Sequence, residues 1–391
     1  MGSASNDANI AALRSEAENG DASAQNNLAV IYDEGHGVAQ DKKEALKWFQ
    51  LAAAQGEMNA QLNLAKMFFE GEGVEQDLKQ AVKWLHLAAE QDLAEAQFVL
   101  GCFYDTGQGV VQDKQEAVKW LTRAGEQGNA EAQCNLGVMY ADGDGVAQDN
   151  SEAEKWYSLA AEQGDVVAQF NLAELYHSGS IAAKDSQDAL RLYQLAAEQG
   201  YEFAQYNLAY IYENGLGIDE DMQEAEKWYR LAAEAGNSAA QIAIAKLYLE
   251  GEIVEQDFTQ AAKWARLAAE QGDEDGQFVL ACLYDNGDGV EEDKAQAAKW
   301  YTLAAEQGHP VAQFNLGYMY SEGEGLPQDK NEAVKWYSLA AKQGDGDAQF
   351  NLGELYQNGD GVVQDKIEAA KWYRLAAEQG DSEAEKALKA L

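Results

Sequence analysis

The stretch Ala45-Leu46-Lys47-Trp48-Phe49-Gln50-Leu51-Ala52-Ala53 decides how this sequence folds, because it recurs along almost the whole chain. Its tryptophan returns every 36 residues, and Leu192 fills the single gap in the series. The series contains all nine tryptophans: Trp48, Trp84, Trp120, Trp156, Trp228, Trp264, Trp300, Trp336 and Trp372. A fixed period of this length predicts a repeat architecture in which each unit stacks on its neighbours.

The first half of each unit predicts one helix. In the unit that spans residues 21–56, Asp21 can cap the helix, because its side-chain oxygen can accept a hydrogen bond from a free backbone amide. Apolar residues recur at spacings of three and four between Ala24 and Tyr32, which places them on one helical face. Gly35 tolerates the left-handed conformation in which many helices end.

The second half of each unit predicts another helix. Asp41 is followed three residues later by Glu44, a spacing typical of a capping box in which each side chain bonds the other residue's backbone amide. The stripe from Ala45 to Ala52, with Trp48 and Phe49 between them, is predicted to be buried. We therefore expect an all-α chain of ten helix–loop–helix units from 21 to 380.

The unit also carries a family resemblance, which is clearest between Ala312 and Ala341. This segment begins Ala-Gln-Phe-Asn-Leu-Gly-Tyr-Met-Tyr and ends Ala-Val-Lys-Trp-Tyr-Ser-Leu-Ala-Ala. It resembles the Sel-1-like repeat, a tetratricopeptide-like repeat with a longer loop. The resemblance implies a right-handed superhelical solenoid that binds proteins or peptides. We divide the chain into an N-terminal tail and capping helix (1–20), ten repeats (21–380) and a C-terminal capping helix (381–391).

The chain is strongly acidic, with 68 Asp and Glu residues against 28 Lys and Arg residues and a formal net charge of −40. Nucleic acid and anionic membrane surfaces bind basic patches, so this balance argues against either as a partner. It suits a basic protein or peptide, although a salt-adapted proteome would show the same bias. No apolar run approaches the ~20 residues of a membrane span, so we expect no membrane insertion.

Signals of chemistry are absent from the sequence. The four histidines fall at four different positions of the repeat, so no helix carries them at metal-ligand spacing. Carboxylate pairs of the Asp41 and Glu44 type recur along the array, which marks them as caps. We therefore predict no enzyme activity and no catalytic, cofactor-binding or metal-binding residues. The alternative class is an enzyme or a receptor for a small molecule or a cell-wall fragment.

The cysteines and the first residues bear on location. Cys102, Cys134 and Cys282 do not form the paired pattern of a disulfide framework, which favours a reducing compartment. Residues 1–5 resemble a cloning remnant, and no leader with a basic segment and an apolar core is visible. We expect a cytoplasmic monomer, and the removal of a natural leader stays open.

Positions that vary between copies are free to specialise, and on the first helix they form a stripe at positions 23, 26, 30, 33 and 34 of the first unit. In the tetratricopeptide-like family, the corresponding stripe resembles the lining of a concave groove. Aromatic side chains rimmed by charge are typical of interfaces. The stripe residues predicted to bind a partner are Phe98, Phe170, Glu174, Tyr206, Tyr210, Phe278, Phe314, Tyr318 and Phe350. The alternative is that these rings only pack between neighbouring first helices.

An asparagine recurs just before the core leucine of the first helix. The members of this set, also predicted to bind the partner, are Asn27, Asn63, Asn135, Asn171, Asn207, Asn315 and Asn351, and the set is broken at Val99, Ala243 and Val279. By this motif the position resembles the asparagine ladder of some tetratricopeptide arrays. A carboxamide can donate and accept, so it can pair with the backbone of an extended peptide. The alternative is that each asparagine bonds only within the array.

The predicted function is a protein-interaction scaffold or adaptor that binds a basic protein or extended peptide in an acidic and aromatic concave groove. A bacterial adaptor, a host-interaction factor and an antagonist of a basic toxin all fit this description. Repeat five departs most from the pattern through Leu192, and a hinge, a partner contact or sequence drift would each explain this departure. Asp92, Arg123 and Gly125 replace the usual glycine, leucine and alanine, and the sequence gives no reason for them.

Overall fold

The computed structural model describes residues 2–181 and 186–391, and within these ranges it contains 22 helices and no strand. The chain divides into two compact units, Met1–Ala196 (unit 1) and Ala197–Leu391 (unit 2). Within each unit, helices that follow one another in the sequence pack against each other. The all-α solenoid of paired helices is therefore confirmed.

Unit 1 begins with α1 (Gly2–Glu18), which precedes five repeats. The first helices of these repeats are α2 (Ala22–Glu34), α4 (Met58–Glu70), α6 (Ala94–Thr106), α8 (Ala130–Asp142) and α10 (Val166–His177). The second helices are α3 (Lys42–Ala54), α5 (Leu78–Glu90), α7 (Lys114–Glu126), α9 (Asn150–Glu162) and α11 (Ser186–Glu198).

Unit 2 contains repeats six to ten and ends with α22 (Ser382–Ala390). Its first helices are α12 (Glu202–Asn214), α14 (Ser238–Glu250), α16 (Glu274–Asn286), α18 (Pro310–Glu322) and α20 (Gly346–Asn358). Its second helices are α13 (Met222–Ala235), α15 (Phe258–Glu270), α17 (Lys294–Gln307), α19 (Lys330–Lys342) and α21 (Lys366–Glu378).

The helix ends follow the predicted chemistry with one correction. Gly35 ends α2 with a φ of 76°, and Asp41 caps α3 by accepting from two backbone amides of its first turn. A capping box also requires the Asp41 backbone amide to donate to the Glu44 side chain. That part of the prediction is wrong, because this amide donates to the Tyr32 carbonyl at 2.9 Å. The loop brings that carbonyl to the amide, and Glu44 pairs instead with Lys47 at 2.7 Å.

The residue after each tryptophan is buried more reliably than the tryptophan itself. Phe49 is 2% exposed and Tyr301 is 1% exposed, whereas Trp48 and Trp300 are only partly buried. The fully buried tryptophans are Trp156, Trp264 and Trp336. The predicted burial of Trp48 is thus only partial, because one helical step turns the next residue toward the stack and leaves the indole at its edge.

A pair of glutamines joins most repeats to the helix pair or capping helix before them. The Gln61 side chain is buried in α4, where its nitrogen donates to the Ala53 carbonyl of the preceding repeat at 3.3 Å. Its oxygen accepts from Gln91, at the end of the second helix, at 2.8 Å. The same glutamine clamp involves the buried residues Gln25, Gln97, Gln133, Gln241, Gln277, Gln313 and Gln349. The clamp is not among the sequence predictions, although its two glutamines recur 30 residues apart.

Repeat six breaks the glutamine clamp. Gln205 donates to the Ala197 carbonyl at 3.1 Å, but Ala235 stands where the second glutamine belongs. The buried Gln205 oxygen therefore has no hydrogen-bond partner among the described residues. An unsatisfied buried acceptor costs about 1–3 kcal/mol, so this repeat carries a local weakness.

The substitutions at Asp92, Arg123 and Gly125 have a structural explanation. Asp92 has a φ of 65°, and its carboxylate lies 2.5 Å from an Arg123 guanidinium nitrogen. The same guanidinium lies 4.8 Å from the centre of the Trp120 ring. A Cβ on Gly125 would lie 3.1 Å from the Trp156 ring, so glycine leaves room for that indole.

Candidate functional site

Lysines at the start of several second helices neutralise part of the predicted acidic stripe. Lys42 lies 2.9 Å from Asp33 of its own repeat and 2.6 Å from Glu72 of the next, so it joins two units of the array. Lys114 and Lys294 make the same contact with the acid of their own repeats. Acids without such a lysine are therefore the ones that offer uncompensated charge to a partner.

Five of the eight predicted aromatic residues pack against tyrosines of their own repeats. The rings of Tyr206 and Tyr229 lie 5.6 Å apart, and those of Phe314 and Tyr337 lie 5.7 Å apart. The same contact joins Phe170 to Tyr193, Phe278 to Tyr301 and Phe350 to Tyr373. These contacts run from the first to the second helix of one repeat, and they leave the predicted rings half-buried.

Tyr210 and Tyr318 are the predicted aromatic residues with the most accessible surface. They occupy the same position in repeats six and nine, and they are 45% and 44% exposed. Phe98 is half-buried against a core cluster of repeats three and four. Glu174 is exposed and accepts a hydrogen bond from the Tyr193 hydroxyl.

The predicted asparagines form hydrogen bonds within the array. Asn63 donates to Asn26 at 3.3 Å, and Asn171 bonds the Tyr157 hydroxyl of the preceding repeat. Equivalent bonds join Asn315 to Tyr301 and Asn351 to Tyr337, and the Asn135 nitrogen lies 3.8 Å from the Cys102 sulfur. Asn27 is exposed and Asn207 is half-buried. These contacts favour an internal role, and the role in partner binding remains a prediction.

Unit 2 contains a cavity of about 280 Å³ between repeats six and seven, which we call the tyrosine cavity. Its walls come from α12, α13, α14 and the beginning of α16. They consist of Tyr206, Tyr210, Glu213, Met222, Tyr229, Ala239, Ile242, Ala243, Lys246, Leu247, Glu250, Asp273 and Asp275. The structure thus brings two predicted residues, Tyr206 and Tyr210, together with Tyr229, which belongs to the stripe predicted to be buried.

Two departures from the repeat line the tyrosine cavity, and a third lies in the loop that follows α14. Ala243 replaces the asparagine and leaves the space of a carboxamide, and Met222 replaces the lysine that pairs with the stripe acid elsewhere. Ile253 replaces a loop glycine. At the equivalent Gly73, a Cβ would lie 2.5 Å from the Lys42 carbonyl oxygen. A loop with isoleucine at this position therefore cannot approach the preceding helix in the same way.

The hydroxyls of Tyr206 and Tyr229 are neutral. Tyr229 donates to the Glu213 carboxylate at 2.6 Å. Burial raises the pKa of Tyr229, and the hydrogen bond to Glu213 raises it further. Burial also raises the pKa of Tyr206, with a smaller effect from Glu213 and the nearby acids. The charge in the cavity is therefore carried by its carboxylates.

The carboxylates of the cavity outnumber its single cation. Lys246 lies 3.9 Å from Asp275, and both side chains are more than half exposed, so this ion pair is weak. Asp273 is engaged as the N-cap of α16. Glu213 and Glu250 have no lysine within ion-pair distance among the described residues. The net charge of the cavity wall is negative, and three tyrosine rings line the same wall.

Unit 1 repeats this geometry with different chemistry. A smaller cavity of about 170 Å³ is lined by Cys102, Asp105, Leu121, Asn135, Val138, Met139, Asp142 and Asp144. Lys114 lies 2.7 Å from Asp105 and 2.8 Å from Asp144, so two of its acids are already paired. Its wall has no aromatic ring. The tyrosine cavity is therefore the better candidate site for a cationic group.

The sequence predicts no metal site and no membrane insertion. Within residues 2–181 and 186–391, no three His, Cys, Asp or Glu side chains are placed to hold a metal ion. In the same ranges, no helix is both long enough and apolar enough to cross a bilayer. The lack of a cofactor and of an enzyme activity remains a prediction.

Comparison with known proteins gives the family. The Sel1 repeat profile matches ten segments, which are 22–57, 59–93, 94–129, 130–165, 166–201, 203–237, 238–273, 274–309, 310–345 and 346–381. The chain belongs to the Sel1 repeat family. Sel1 repeat proteins serve as protein-interaction scaffolds, and their solenoid is typically a non-enzymatic binding fold. The family resemblance of Ala312–Ala341 is thus confirmed.

Two Sel1 repeat structures are similar over most of the chain. One is c5321, a protective antigen of uropathogenic Escherichia coli strains with an SLR fold. It is 40% identical, with a TM-score of 0.84, over 97% of this chain and 81% of that chain. The other is a Sel1 repeat protein from Oxalobacter formigenes, 30% identical over 93% of this chain and 92% of that chain, with a TM-score of 0.42. No curated protein sequence matches the chain.

Proposed function

We propose that this Sel1 repeat protein binds a basic segment of a protein partner, and that the tyrosine cavity holds one Lys or Arg side chain of that segment. The observation that carries the proposal is the wall of the cavity, which Tyr206, Tyr210 and Tyr229 share with a surplus of carboxylates. A cation over a tyrosine face gains about 0.5–2 kcal/mol, depending on how far it is desolvated. The carboxylates then select a cation over an apolar side chain of similar length.

The charge of the whole chain supports the same partner chemistry. A net charge of −40 attracts a basic segment over several ångströms and speeds its encounter with the array. The weak contact between Lys246 and Asp275 allows the lysine to swing away when a second cation arrives. Binding should therefore weaken with added salt, because exposed charges are screened within about 10 Å at 0.1 M.

Selection from a random displayed peptide library on the full chain tests this proposal. We expect the selected peptides to share a Lys or Arg at one fixed position. The variant Glu213→Gln/Glu250→Gln should bind them at least about tenfold more weakly, because each lost charge-assisted contact is worth about 1.5–3 kcal/mol. Both substitutions keep the side-chain shape and one hydrogen-bonding oxygen.

A matched control separates the site from the overall charge. Glu90→Gln/Glu126→Gln removes the same number of charges from exposed helix ends outside the cavity. This control should bind the selected peptides nearly as well as the unchanged chain. An equal loss in both variants would mean that net charge alone holds the peptides. A saturable small-molecule ligand without any peptide or protein partner would favour the receptor or enzyme alternative.

We propose the asparagine ladder as an addition to this site rather than as its centre. If the ladder binds the partner, a triple variant should bind an extended peptide more weakly while its melting temperature stays nearly unchanged. The variant replaces three asparagines with alanine, at Asn135, Asn171 and Asn207. The contacts of Asn135 with Cys102 and of Asn171 with Tyr157 give the opposite expectation. A fall in stability with unchanged peptide binding would therefore assign the asparagines to the stack.

Host contact is a second candidate role, because the 40% identical c5321 is a protective antigen of uropathogenic Escherichia coli strains. Host contact requires a location outside the cell or on its surface, which disagrees with the cytoplasmic location expected from the sequence. Antibody labelling of intact and permeabilised cells separates the two. Labelling of intact cells would support host contact, and labelling only after permeabilisation would support a cytoplasmic adaptor.

A further inference from the structure

Unit 1 contains a second cavity, of about 450 Å³, where Leu192 replaces the tryptophan of the repeat. We call it the Leu192 cavity. Its apolar wall includes Ala161 from the second helix of repeat four, Leu172 from α10 and Leu192 itself, and Arg191 lies at its edge. The cavity therefore occupies the seam between two repeats, at the position that an indole fills elsewhere.

The equivalent position four repeats later shows what this seam normally contains. Trp336 is 6% exposed and packs in one cluster with Ala305 and Leu316, the counterparts of Ala161 and Leu172. Lys335, the counterpart of Arg191, lies 4.8 Å from the centre of the Trp336 ring. The walls of the two seams thus have the same residue types.

The missing indole changes the solvent exposure of one wall residue, Ala161. Ala305 is 2% exposed beneath Trp336, whereas Ala161 is only half-buried beneath Leu192. The equivalent residues Ala53, Ala89, Ala197, Ala233, Ala269 and Ala341 are all buried, and each is followed by a repeat with its tryptophan. Ala377, which no tryptophan follows, is half-buried like Ala161. The exposure of Ala161 therefore results from the shorter side chain at 192.

We propose that the Leu192 cavity receives an aromatic side chain, best a tryptophan indole, from a protein partner. Ala161 and Leu172 would contact the faces and edge of the ring as their counterparts contact Trp336. The Arg191 guanidinium would lie over the ring as Lys335 does, which adds a cation–π contact. Large aromatic side chains in well-packed pockets are typical anchors of protein interfaces.

The Leu192 cavity is independent of the proposed acidic groove. It is lined by Gln169, Leu172 and Tyr176 of α10, whereas the predicted groove residues of that helix are Phe170 and Glu174. With about 100° per residue, Leu172 and Glu174 point to nearly opposite sides of the helix. The proposal for the Leu192 cavity therefore does not depend on the proposal for the acidic groove.

Binding of N-acetyl-tryptophanamide, which mimics a tryptophan residue within a chain, tests the proposal on the full protein. Equilibrium dialysis should show saturable binding of one molecule per chain, and N-acetyl-leucinamide should bind at least about tenfold more weakly. The variant Leu192→Trp fills the cavity with the repeat's own indole. It should abolish this binding and raise the melting temperature, because the added ring buries apolar surface.

Leu375→Trp provides the matched control, because it makes the same substitution at an exposed position of repeat ten. It should leave the binding of N-acetyl-tryptophanamide unchanged and should not raise the melting temperature. Lack of saturable binding to the unchanged chain would overturn the proposal. Undiminished binding to Leu192→Trp, or a melting temperature lowered by that substitution, would also overturn it, because the cavity would then not have the shape of an indole site.

Discussion

Restoring the missing glutamine of repeat six should stabilise the array. In the substitution Ala235→Gln, the new side chain should donate to the buried Gln205 oxygen, which has no partner among the described residues. The end of α17 shows that the local backbone permits this bond. There, Gln307 precedes Gly308 as Ala235 precedes Gly236, and Gln307 donates to Gln277 at 2.9 Å.

The magnitude follows from three contributions. Satisfying a buried acceptor recovers about 1–3 kcal/mol. Replacing alanine with glutamine in a helix costs less than about 0.7 kcal/mol in propensity, and ordering the new side chain costs on the order of 1 kcal/mol. Taken at the middle of each range, these contributions leave a net gain of about 0.5–1 kcal/mol. Ala235 is exposed, so the longer side chain meets no packed wall.

Native-state hydrogen exchange is the suitable assay, because long repeat arrays need not unfold in one step. A gain of about 1 kcal/mol should slow exchange about fivefold in α12 and α13, with smaller effects in distant repeats. Gln271→Ala, which removes the donor to Gln241, should instead speed exchange in α14 and α15. Ala54→Gln adds glutamine at an exposed helix end and should have little effect. If Ala235→Gln behaves like this control and Gln271→Ala changes nothing, the glutamine clamp does not stabilise the stack.

Three further predictions concern packing, thiols and backbone strain. Tyr229→Ala should lower the free energy of unfolding by about 3–5 kcal/mol. Trp228→Ala should lower it by less, because the tyrosine is buried and the tryptophan only half-buried. A larger loss of stability in Trp228→Ala than in Tyr229→Ala, measured by urea unfolding, would contradict this. Burial raises the pKa of Cys102 to about 11 and of Cys134 to about 12, so both thiols should stay protonated at pH 8. They should therefore react with Ellman's reagent far more slowly in the folded chain than in urea. Equal reaction rates in the two conditions would refute this. Asp92→Gly should raise the urea midpoint, because glycine adopts the left-handed φ of this position without strain, a gain of about 1 kcal/mol. This gain should exceed the loss of the weak, exposed ion pair with Arg123. A lower midpoint would show that the ion pair contributes more than the strain costs.

The helices and their ends are predictable because their signals are local and repeated ten times. Gly35 and Asp41 act within one turn of the chain, so their roles follow from the residue type. The capping box fails because the amide of Asp41 finds a carbonyl nine residues away, at Tyr32. Trp48 and Phe49 both lie on the apolar face, so periodicity alone does not rank their burial.

The site is less predictable because it depends on several helices at once. Tyr206 and Tyr210 can be found as variable positions on one helix. Their meeting with Asp275 depends on how α12, α14 and α16 stack, and no sequence spacing carries that information. The contact of Asp92 with Arg123 likewise joins two repeats. Leu192 is visible in the sequence as a departure, but the cavity appears only when its neighbours are in place.

A crystal structure of the full chain with its tightest selected peptide tests the central claim most directly. We predict that one Lys or Arg side chain of the peptide lies in the tyrosine cavity, among the rings of Tyr206, Tyr210 and Tyr229. Its charged nitrogen should lie within hydrogen-bond distance of Glu213, Glu250 or Asp275. A peptide bound on another surface, with the tyrosine cavity empty or filled by an uncharged side chain, would contradict the account.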